Sequence, residues 1–330
     1  MNISNMKLTI GIDIGGTNTA IGAVNENGEV VAQQCIATPS HGNVDKYIAD
    51  IAEEIGTLEK KITSINPGAE ILGIGIGAPN GNFYNGTIEH APNLSFKGVV
   101  PFTEKLKEHF SKYQERIALT NDANAAAIGE MIYGGAKGMK TFAMFTLGTG
   151  VGSGLVVDGD LVYGSDGFAG ECGHTTLIPE GRKCGCGGKG HLETYCSAPG
   201  MKRTAFEIIA RDNASDSILA SKSFNELNSR DIFEAAKAGD KVALEVFEKT
   251  GYWLGISIAD TVHHISPKAV FLFGGPTNAG DYIFKPTIES MEKHLIPVFK
   301  NKVKVLKSEL SLGHAAIVGA SALVWKIIKG

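Results

Sequence analysis

The 330-residue sequence has no long apolar segment and no excess of charge of one sign. Its longest apolar run, AAIVGASALVW at 315–325, is far shorter than the roughly 18 residues that a membrane-spanning helix needs. The first residues, MNISNMKLTIGID, contain no signal-peptide core, so we expect a cytoplasmic protein. A net charge of −4 provides no basic surface for nucleic acid. Membrane and nucleic-acid partners are therefore not expected.

Cysteine is scarce, and the Walker phosphate-binding motif is absent. The chain has 5 cysteines, an odd number that does not favour a disulfide framework, and cytosolic thiols stay reduced. We expect Cys35 and Cys196 to be small buried residues. No G-x-x-x-x-G-K-[ST] sequence occurs, which excludes a Walker-type ATPase at the level of motifs.

A faint internal repeat relates two parts of the chain. Residues 141–162 repeat the layout of residues 8–30, shifted by 133 positions, so that Gly15 falls on Gly148. In each part an apolar strand runs into a glycine-rich turn and then into a second apolar strand. Two similar halves of an α/β protein, with a phosphate-binding cleft between them, would explain the repeat. Two unrelated hairpins are the alternative.

The two glycine-rich turns are the best candidates for binding phosphate. Glycine lets backbone N–H groups approach an anion closely, and threonine and asparagine side chains add donors. A tight hairpin without any ligand remains an alternative for either turn. Asp13, just before the first turn, could accept from the substrate side or hold Mg²⁺ through water. The candidates in the turns are Gly15, Gly16, Thr17 and Asn18 in the first, and Gly148, Thr149 and Gly150 in the second.

Two further glycine patterns are poor candidates for dinucleotide binding. Gly73-x-Gly75-x-x-Ala78 is followed by Pro79, which breaks the helix that should receive the pyrophosphate. Gly185-x-Gly187-x-x-Gly190 has no strand before it. We discount both.

Several motifs together resemble one family. DIGGTN near the start, LGTGVG, GECGH, CGCGGKGHLE and the C-terminal LGHAAIVGASALV closely resemble the ROK family of sugar kinases and related repressors. The resemblance implies an actin-like ATPase (ribonuclease H-like) fold, with two lobes and a cleft that close on ATP and a hexose. It implies a smaller lobe of residues 1–120 joined by a C-terminal helix at 311–330, and a larger lobe of residues 121–310. A homodimer or larger homo-oligomer is also implied.

Asp122 is the candidate catalytic base. In IALTNDANAAAIGE an apolar strand ends at Asn121-Asp122 and an alanine-rich helix follows. A carboxylate at a helix N-terminus is stabilised in its ionised form by backbone N–H groups. From position alone, Asp122 could equally be a plain helix cap. The resemblance favours catalysis, since the family places its base at this Asn-Asp pair.

The resemblance also nominates residues for the two substrates. Carboxylates and amides at loop ends can pair with the vicinal hydroxyls of a sugar. The hexose candidates are Gly77, Asn93, Asn121, Asp122, Glu171, His174 and Glu193. We expect adenosine at Gly274-Gly275, after the strand AVFLF, where small residues would let the base lie against the backbone.

A cluster of metal-ligating residues lies within the same motifs. His174, Cys184, Cys186 and His191 have the spacing H-x9-C-x-C-x4-H, which suits a structural zinc site with four N/S ligands. A redox pair is a weak alternative, because C-x-C differs from the C-x-x-C of thioredoxin-like sites. The family usually has cysteine where this chain has His191. We expect the ion to anchor the loop that carries Glu171 and Glu193, and His174 to serve both ion and sugar.

These expectations lead to a functional hypothesis. We expect ATP-dependent phosphorylation of a hexose at its 6-hydroxyl, with glucose as the first choice and Mg²⁺ and structural Zn²⁺ as cofactors. Fructose, mannose and N-acetylated hexosamines are the alternatives within the family. A sugar-sensing repressor would carry a winged helix before the core, whereas the first strand here begins near Lys7. A zinc-dependent nucleic-acid binder would need a basic face, which the composition does not provide.

Overall fold

The computed structural model describes residues 6–39, 42–311 and 313–329. The strands are β1 (Lys7–Ile14), β2 (Asn18–Asn25), β3 (Val30–Ala37), β4 (Glu70–Gly77), β5 (Gly81–Asn82), β6 (Thr87–Glu89), β7 (Val99–Val100), β8 (Ile117–Thr120), β9 (Phe142–Leu147), β10 (Val151–Val157), β11 (Asp160–Leu161), β12 (Ala269–Phe273) and β13 (Lys304–Lys307). The α-helices are α1 (Val44–Ile65), α2 (Phe102–Lys107), α3 (Asp122–Tyr133), α4 (Glu193–Cys196), α5 (Ala198–Asp212), α6 (Ser229–Lys237), α7 (Lys241–Ile265), α8 (Asp281–His294) and α9 (Ala315–Lys329). The α/β class expected from the sequence is confirmed.

The chain divides into two compact units. Unit 1 comprises residues 1–138, 161–169 and 309–330, and unit 2 comprises residues 139–160 and 170–308. The sequence places the boundary between lobes at residue 120, whereas residues 121–138 belong to unit 1. The reason is that α3, which spans residues 122–133 of this segment, packs against α9.

Unit 1 is built on a five-stranded sheet in the order β3-β2-β1-β4-β8. The hairpin β1–β2 is antiparallel, and β4 and β8 continue the sheet parallel to β1. The apolar face of α1, with Ile48, Ile51, Ile55 and Leu58, belongs to the core of this unit. Asn43 caps α1 by accepting from the Asp45 N–H at 2.8 Å. The amphipathic pattern of residues 44–62 predicts this helix, and the structure confirms it and extends it to Ile65.

The other face of this sheet packs against α9 at very short range. A Cβ on Gly11 of β1 would lie 2.0 Å from the Ile317 carbonyl oxygen, and one on Gly75 of β4 would lie 1.9 Å from that of Ala320. No side chain fits there. Gly75 of the discounted dinucleotide pattern is therefore required by helix–sheet packing rather than by a ligand.

Cysteine burial agrees with expectation at one position only. Cys196 is buried in unit 2, as expected, but Cys35 is exposed. β3 is the edge strand of its sheet and none of its residues is fully buried, so the expectation for Cys35 was wrong.

Unit 2 repeats the arrangement of the first sheet. Its strand order is β11-β10-β9-β12-β13, with an antiparallel β9–β10 hairpin and with β12 and β13 parallel to β9. A shift of 133 places the end of β1 on the end of β9 and the start of β2 on the start of β10. The internal repeat is therefore confirmed. Residues 199–265 form α5, α6 and α7, which supply much of this unit's core.

Among the residues that the structure describes, no helix combines the length and the apolar character that crossing a bilayer requires.

Candidate functional site

The first glycine-rich turn connects β1 and β2 in unit 1. The Gly15 N–H donates to the Asn18 carbonyl at 3.0 Å, and the Thr38 N–H donates to the Thr17 carbonyl at 2.8 Å. Gly16, Thr17 and Asn18 are exposed, so their polar groups are accessible to a ligand. The turn is held in shape by backbone bonds, and its exposed residues carry short side chains or none.

Asn93 lies directly against this turn. A Cβ on Gly16 would come within 2.8 Å of the Asn93 carbonyl oxygen and 3.3 Å of the Asn93 Cβ. A candidate residue for the hexose and a candidate residue for phosphate therefore touch, although 77 positions separate them in the sequence. Their contact also explains why residue 16 must lack a side chain.

Buried hydroxyl groups support the turn from below. The Thr19 and Thr38 hydroxyls are 2.8 Å apart, and Thr19 also bonds the hydroxyl of Tyr47 on α1. All three side chains are buried. This network fixes the strand that leaves the turn, because a buried hydroxyl that loses its partner is costly.

The carboxyl ends of β1, β4 and β8 bring Asp13, Gly77 and Asp122 together. Asp13 pairs with Gly77 across the parallel strands β1 and β4. A Cβ on Gly77 would lie 3.8 Å from the Asp122 Cα, so the glycine keeps this space open. Parallel strands commonly present functional groups at this edge of a sheet.

Asp122 is the first residue of α3 and is not its N-cap. The cap is Asn121, whose side-chain oxygen accepts from the Asn124 N–H at 2.8 Å. Asp122 Oδ1 accepts from the Ala123 N–H at 2.9 Å. The capping role that the sequence left open for Asp122 is thus filled by its neighbour, and Asp122 is available for chemistry.

The two carboxylates are both poor acids. Burial, followed by the negative charge of Asp122, raises the pKa of Asp13 to about 6. Burial also raises the pKa of Asp122, although hydrogen bonds from the backbone N–H groups of Ala123 and Asp122 oppose the shift. The carboxylate is surrounded by protein on most sides, although part of the Asp122 residue remains in contact with solvent. A carboxylate with a raised pKa is a stronger base than an ordinary aspartate.

The second glycine-rich turn connects β9 and β10 in unit 2. The Gly148 N–H donates to the Gly150 carbonyl at 2.9 Å, and the Gly148 carbonyl accepts from the Ala198 N–H of α5 at 2.9 Å. Glu193, the first residue of α4, accepts from the Val151 N–H at 3.1 Å. A Cβ on Gly150 would lie 2.3 Å from the Glu193 carboxylate. A candidate hexose residue therefore contacts the second phosphate turn, which the sequence did not predict.

The four candidate metal ligands of unit 2 converge. One ligand atom from each of His174, Cys184, Cys186 and His191 lies within 4.8 Å of the others. Cys184 Sγ is 3.8 Å from His174 Nδ1, and Cys186 Sγ is 3.3 Å from His191 Nδ1. Zinc bonds of about 2.3 Å to sulfur and about 2.0 Å to nitrogen place neighbouring ligands about 3.3–3.8 Å apart in a tetrahedron. The donor set therefore fits zinc.

The metal-ligand cluster is continuous with two hexose candidates. Cys184 Sγ lies 3.5 Å from Glu193 Oε1. The Glu171 carbonyl accepts from the His174 N–H at 3.0 Å, in the short 3-10 helix Cys172–His174. Gly190 has φ +71°, and a Cβ there would lie 1.7 Å from the Ile178 carbonyl. The second discounted glycine pattern thus shapes the metal-ligand loop.

Gly275 lines a cavity of about 320 Å³ in unit 2. Gly274 has a different role: its φ is +114°, and a Cβ there would lie 2.0 Å from the Leu147 carbonyl at the end of β9. The other lining residues are Ser229, Arg230, Phe233, Glu234, Pro276, Asn278 and Ala279. Sequence reasoning missed those from α6, because nothing in their spacing relates them to Gly275. A larger cavity of about 710 Å³ between α7 and α8 contains none of the predicted residues.

Comparison with known proteins adds relatives to this geometry. The chain is 34% identical over 318 residues to a glucokinase of Halalkalibacterium halodurans, covering 96% of this chain and 94% of that protein. The crystal structure of a ROK family glucokinase from Streptomyces griseus, in complex with glucose and AMPPNP, is 31% identical with a TM-score of 0.78, and the match covers 97% and 99% of the two chains. A ROK family transcriptional regulator, a homologue of the E. coli MLC protein, has a TM-score of 0.86 at 23% identity, and the match covers 99% of this chain and 79% of that one.

These similarities also confirm the actin-like ATPase fold. The family model for ROK proteins matches residues 9–327, nearly the whole chain. The protein belongs to the ROK family.

Proposed function

We propose that this protein transfers the γ-phosphoryl group of ATP to the 6-hydroxyl of a hexose, with glucose as the preferred substrate. The products are ADP and the hexose 6-phosphate. The observation that carries the proposal is the placement of Asp122. It lies beside Asp13 and does not serve as the N-cap of α3, and relatives of the chain include glucokinases.

Asp122 acts as the general base in this proposal. Its carboxylate accepts the proton of the 6-hydroxyl as that oxygen attacks the γ-phosphorus, while the bond from phosphorus to the bridging oxygen of ADP breaks. The raised pKa of Asp122, caused by burial, favours this proton transfer. Asn121 holds the start of α3, and so the direction of Asp122, by its cap bond to Asn124.

The phosphates of ATP are assigned to the two glycine-rich turns, through Gly15, Gly16, Thr17 and Asn18 and through Gly148, Thr149 and Gly150. Backbone N–H groups and small side chains provide donors without bulk. Mg²⁺, when bound with ATP, supplies charge neutralisation on the β- and γ-phosphates. Asp13 is the candidate to orient the water around that ion.

The adenine base is assigned to the cavity beside Gly275. The cavity is a concave site with the aromatic ring of Phe233 and the polar groups of Arg230, Glu234 and Asn278 in its lining. A mainly apolar surface with a few polar groups is typical of nucleobase-sized sites. Gly274 contributes by letting the chain turn tightly at the end of β12.

The hydroxyls of the hexose are assigned to Asn93, Asn121, Glu171, His174 and Glu193, with Gly77 leaving space. Zinc, when bound by His174, Cys184, Cys186 and His191, supplies structural stabilisation of the loop and no reaction step. His174 has two ring nitrogens; its Nδ1 is the one near Cys184. The other is then free to bond a sugar hydroxyl.

The test is ATP-dependent ADP release on a panel of glucose, fructose, mannose, N-acetylglucosamine and N-acetylmannosamine, with Mg²⁺ and zinc-loaded protein. We expect kcat/KM to be highest for glucose. A preference for an N-acetylated sugar would keep the reaction and change the substrate. No turnover on any of the sugars would overturn the proposal.

A sugar-responsive repressor is the second candidate, because a transcriptional regulator of the family has the same fold. That function predicts hexose binding without ADP release. The same protein would then also retard DNA in a mobility-shift assay at physiological salt. The homodimer expected from the family stays a prediction, which light scattering coupled to size exclusion measures.

A further inference from the structure

Arg182 makes more polar contacts than any of the residues assigned above. Its Nε and one terminal nitrogen donate to the two carboxylate oxygens of Glu207 at 2.9 and 2.5 Å. The other terminal nitrogen donates to the carbonyls of Thr194 at 2.8 Å and Gly200 at 3.1 Å. A fifth bond reaches the Thr204 hydroxyl at 2.9 Å. A guanidinium has five N–H donors, and here each has an acceptor.

The contacts of Arg182 join three separate segments. Thr194 belongs to α4, whereas Gly200, Thr204 and Glu207 belong to α5. Arg182 itself lies in the metal-ligand loop, two positions before Cys184. Its backbone N–H donates to the Tyr195 hydroxyl at 3.0 Å, and its Cζ lies 4.6 Å from the centre of the Tyr195 ring.

The segments that Arg182 joins carry the candidate hexose and metal residues of unit 2. α4 begins at Glu193, next to Thr194, and the Glu193 carboxylate contacts the Val151 N–H and lies near Cys184 Sγ. The Arg182 carbonyl accepts from the Gly190 N–H at 2.8 Å, next to His191. The Arg182 side chain is only 12% exposed, and its bonds to Thr194, Gly200 and Thr204 are partly buried, whereas the Glu207 carboxylate is 61% exposed.

We propose that Arg182 is a positioning residue that fixes the metal-ligand loop and the Glu193 helix in one geometry, independently of the metal ion. The proposal rests on the proposed function, because it assigns the positioned groups to hexose binding. Arg182 itself touches neither a substrate candidate nor a ligand atom. It acts through the direction of α4 and the path of the loop from residue 182 to residue 190.

Lysine cannot replace arginine in this role. A lysine ammonium has three donors at one point, whereas the planar guanidinium presents its donors in a fork that matches a carboxylate and two carbonyls at once. Arg182→Lys keeps the charge and the long side chain. It therefore removes the geometry and little else.

The experiment compares Arg182→Lys with Arg211→Lys. Arg211, near the C-terminal end of α5, also pairs with carboxylates, those of Asp212 and Glu245, but its side chain is 50% exposed. The readouts are the rate of zinc release to a chromogenic chelator, the KM for glucose, the KM for ATP and the thermal midpoint. Arg182→Ala is made in parallel as the more severe variant.

In Arg182→Lys we expect zinc release to become about tenfold faster and the glucose KM to rise about tenfold, the effect typical of losing a group that orients metal ligands. The ATP KM should rise less than the glucose KM, because the second glycine turn, although it contacts α4 and α5, is also closed by its own bond from Gly148 to Gly150. Arg211→Lys should match the parent in all readouts.

A lower thermal midpoint with unchanged zinc release and an unchanged glucose KM would reduce Arg182 to a structural role and overturn the proposal. An equal rise in both KM values would also overturn it. Failure of the proposed function is distinguishable, since the parent would then show no turnover. The rate of zinc release would still test whether Arg182 positions the loop. An unchanged rate in Arg182→Lys would overturn the proposal.

Discussion

The two glycine-rich turns of this protein share a backbone plan but differ in their surroundings. Both connect the strands of an antiparallel hairpin beside a parallel strand, at positions 133 residues apart. The first has the carboxylates of Asp13 and Asp122 nearby and Asn93 in contact. The second contacts Glu193, which lies near the metal-ligand cluster.

The difference lies in what packs against the repeated turn. The turn itself provides only backbone donors and room for an anion. What packs against each turn comes from chain segments outside the repeated hairpin, α3 and the loop at Asn93 in unit 1, and α4 in unit 2. We therefore assign proton transfer to the neighbours of the first turn, whereas hexose candidates adjoin both turns, Asn93 the first and Glu193 the second.

The largest expected effect tests the chemistry assigned to the first turn. Asp122→Asn should lower kcat by about a hundredfold to ten-thousandfold, because an amide cannot accept the hydroxyl proton. Steady-state kinetics on glucose measure the loss. Asp45→Asn is the matched control, since Asp45 also lies in the first turn of a helix but pairs with Lys105 at the surface. Equal activity of Asp122→Asn and the parent would contradict the assignment of proton transfer to the neighbours of the first turn.

The next effect tests the metal-ligand cluster beside the second turn. Cys186→Ser should weaken zinc retention and raise the glucose KM about tenfold to a hundredfold, while the ATP KM changes much less. Zinc content by metal analysis and separate titrations of the two substrates measure this. Cys35→Ser, at an exposed cysteine of β3, should have no effect. Carefully prepared parent protein without zinc would contradict the assignment.

A smaller effect on activity tests how much space each turn leaves for an added side chain. Gly16→Ala places a Cβ 2.8 Å from the Asn93 carbonyl oxygen, whereas no heavy atom lies within 4 Å of a Cβ added at Gly148. Neither glycine has a positive φ, so the contrast is steric. We expect Gly16→Ala to lower kcat/KM about tenfold or more through displaced groups and Gly148→Ala to lower it far less. The opposite order would mean that Asn93 moves aside without loss of activity and that phosphate binding depends more on the backbone of the second turn.

The smallest effect concerns stability and pH. The pKa of Asp13 is raised from 3.8 to about 6, first by burial and then by Asp122, so the folded state binds its proton more tightly than the unfolded state. This contribution to the free energy of unfolding is fully present below pH 3.8 and is lost as the pH rises through about 6. Asp13→Asn should thus be more stable than the parent at pH 8, by at most about 3 kcal/mol. Chemical denaturation at pH 4 and pH 8 should show the gain only at pH 8, and a gain that is equal at both pH values would contradict the cause.

Much of the site was legible in the sequence because its residues are close together along the chain. The metal ligands lie within eighteen positions, and their convergence needs only local turns at glycines such as Gly190. The hairpins followed from alternating apolar residues and the glycine turns between them. The start of α3 followed from the Asn-Asp pair, although the structure was needed to show that Asn121 is the cap.

Contacts between residues distant along the chain were not predictable from this one sequence. The contact of Gly16 with Asn93, the bond from Val151 to Glu193 and the five bonds of Arg182 have no signature in spacing. Each depends on how turns, loops and helices from different parts of the chain pack against one another.

The sequence by itself determined the local features of this protein: where the glycine-rich turns lie, which four side chains converge as candidate metal ligands, and where a carboxylate begins a helix. Those features depend on residues that lie close together along the chain. Only the tertiary structure decided which side chains meet, because burial brings distant segments together. It is burial that gives Asp13 its raised pKa and Arg182 its complete set of acceptors.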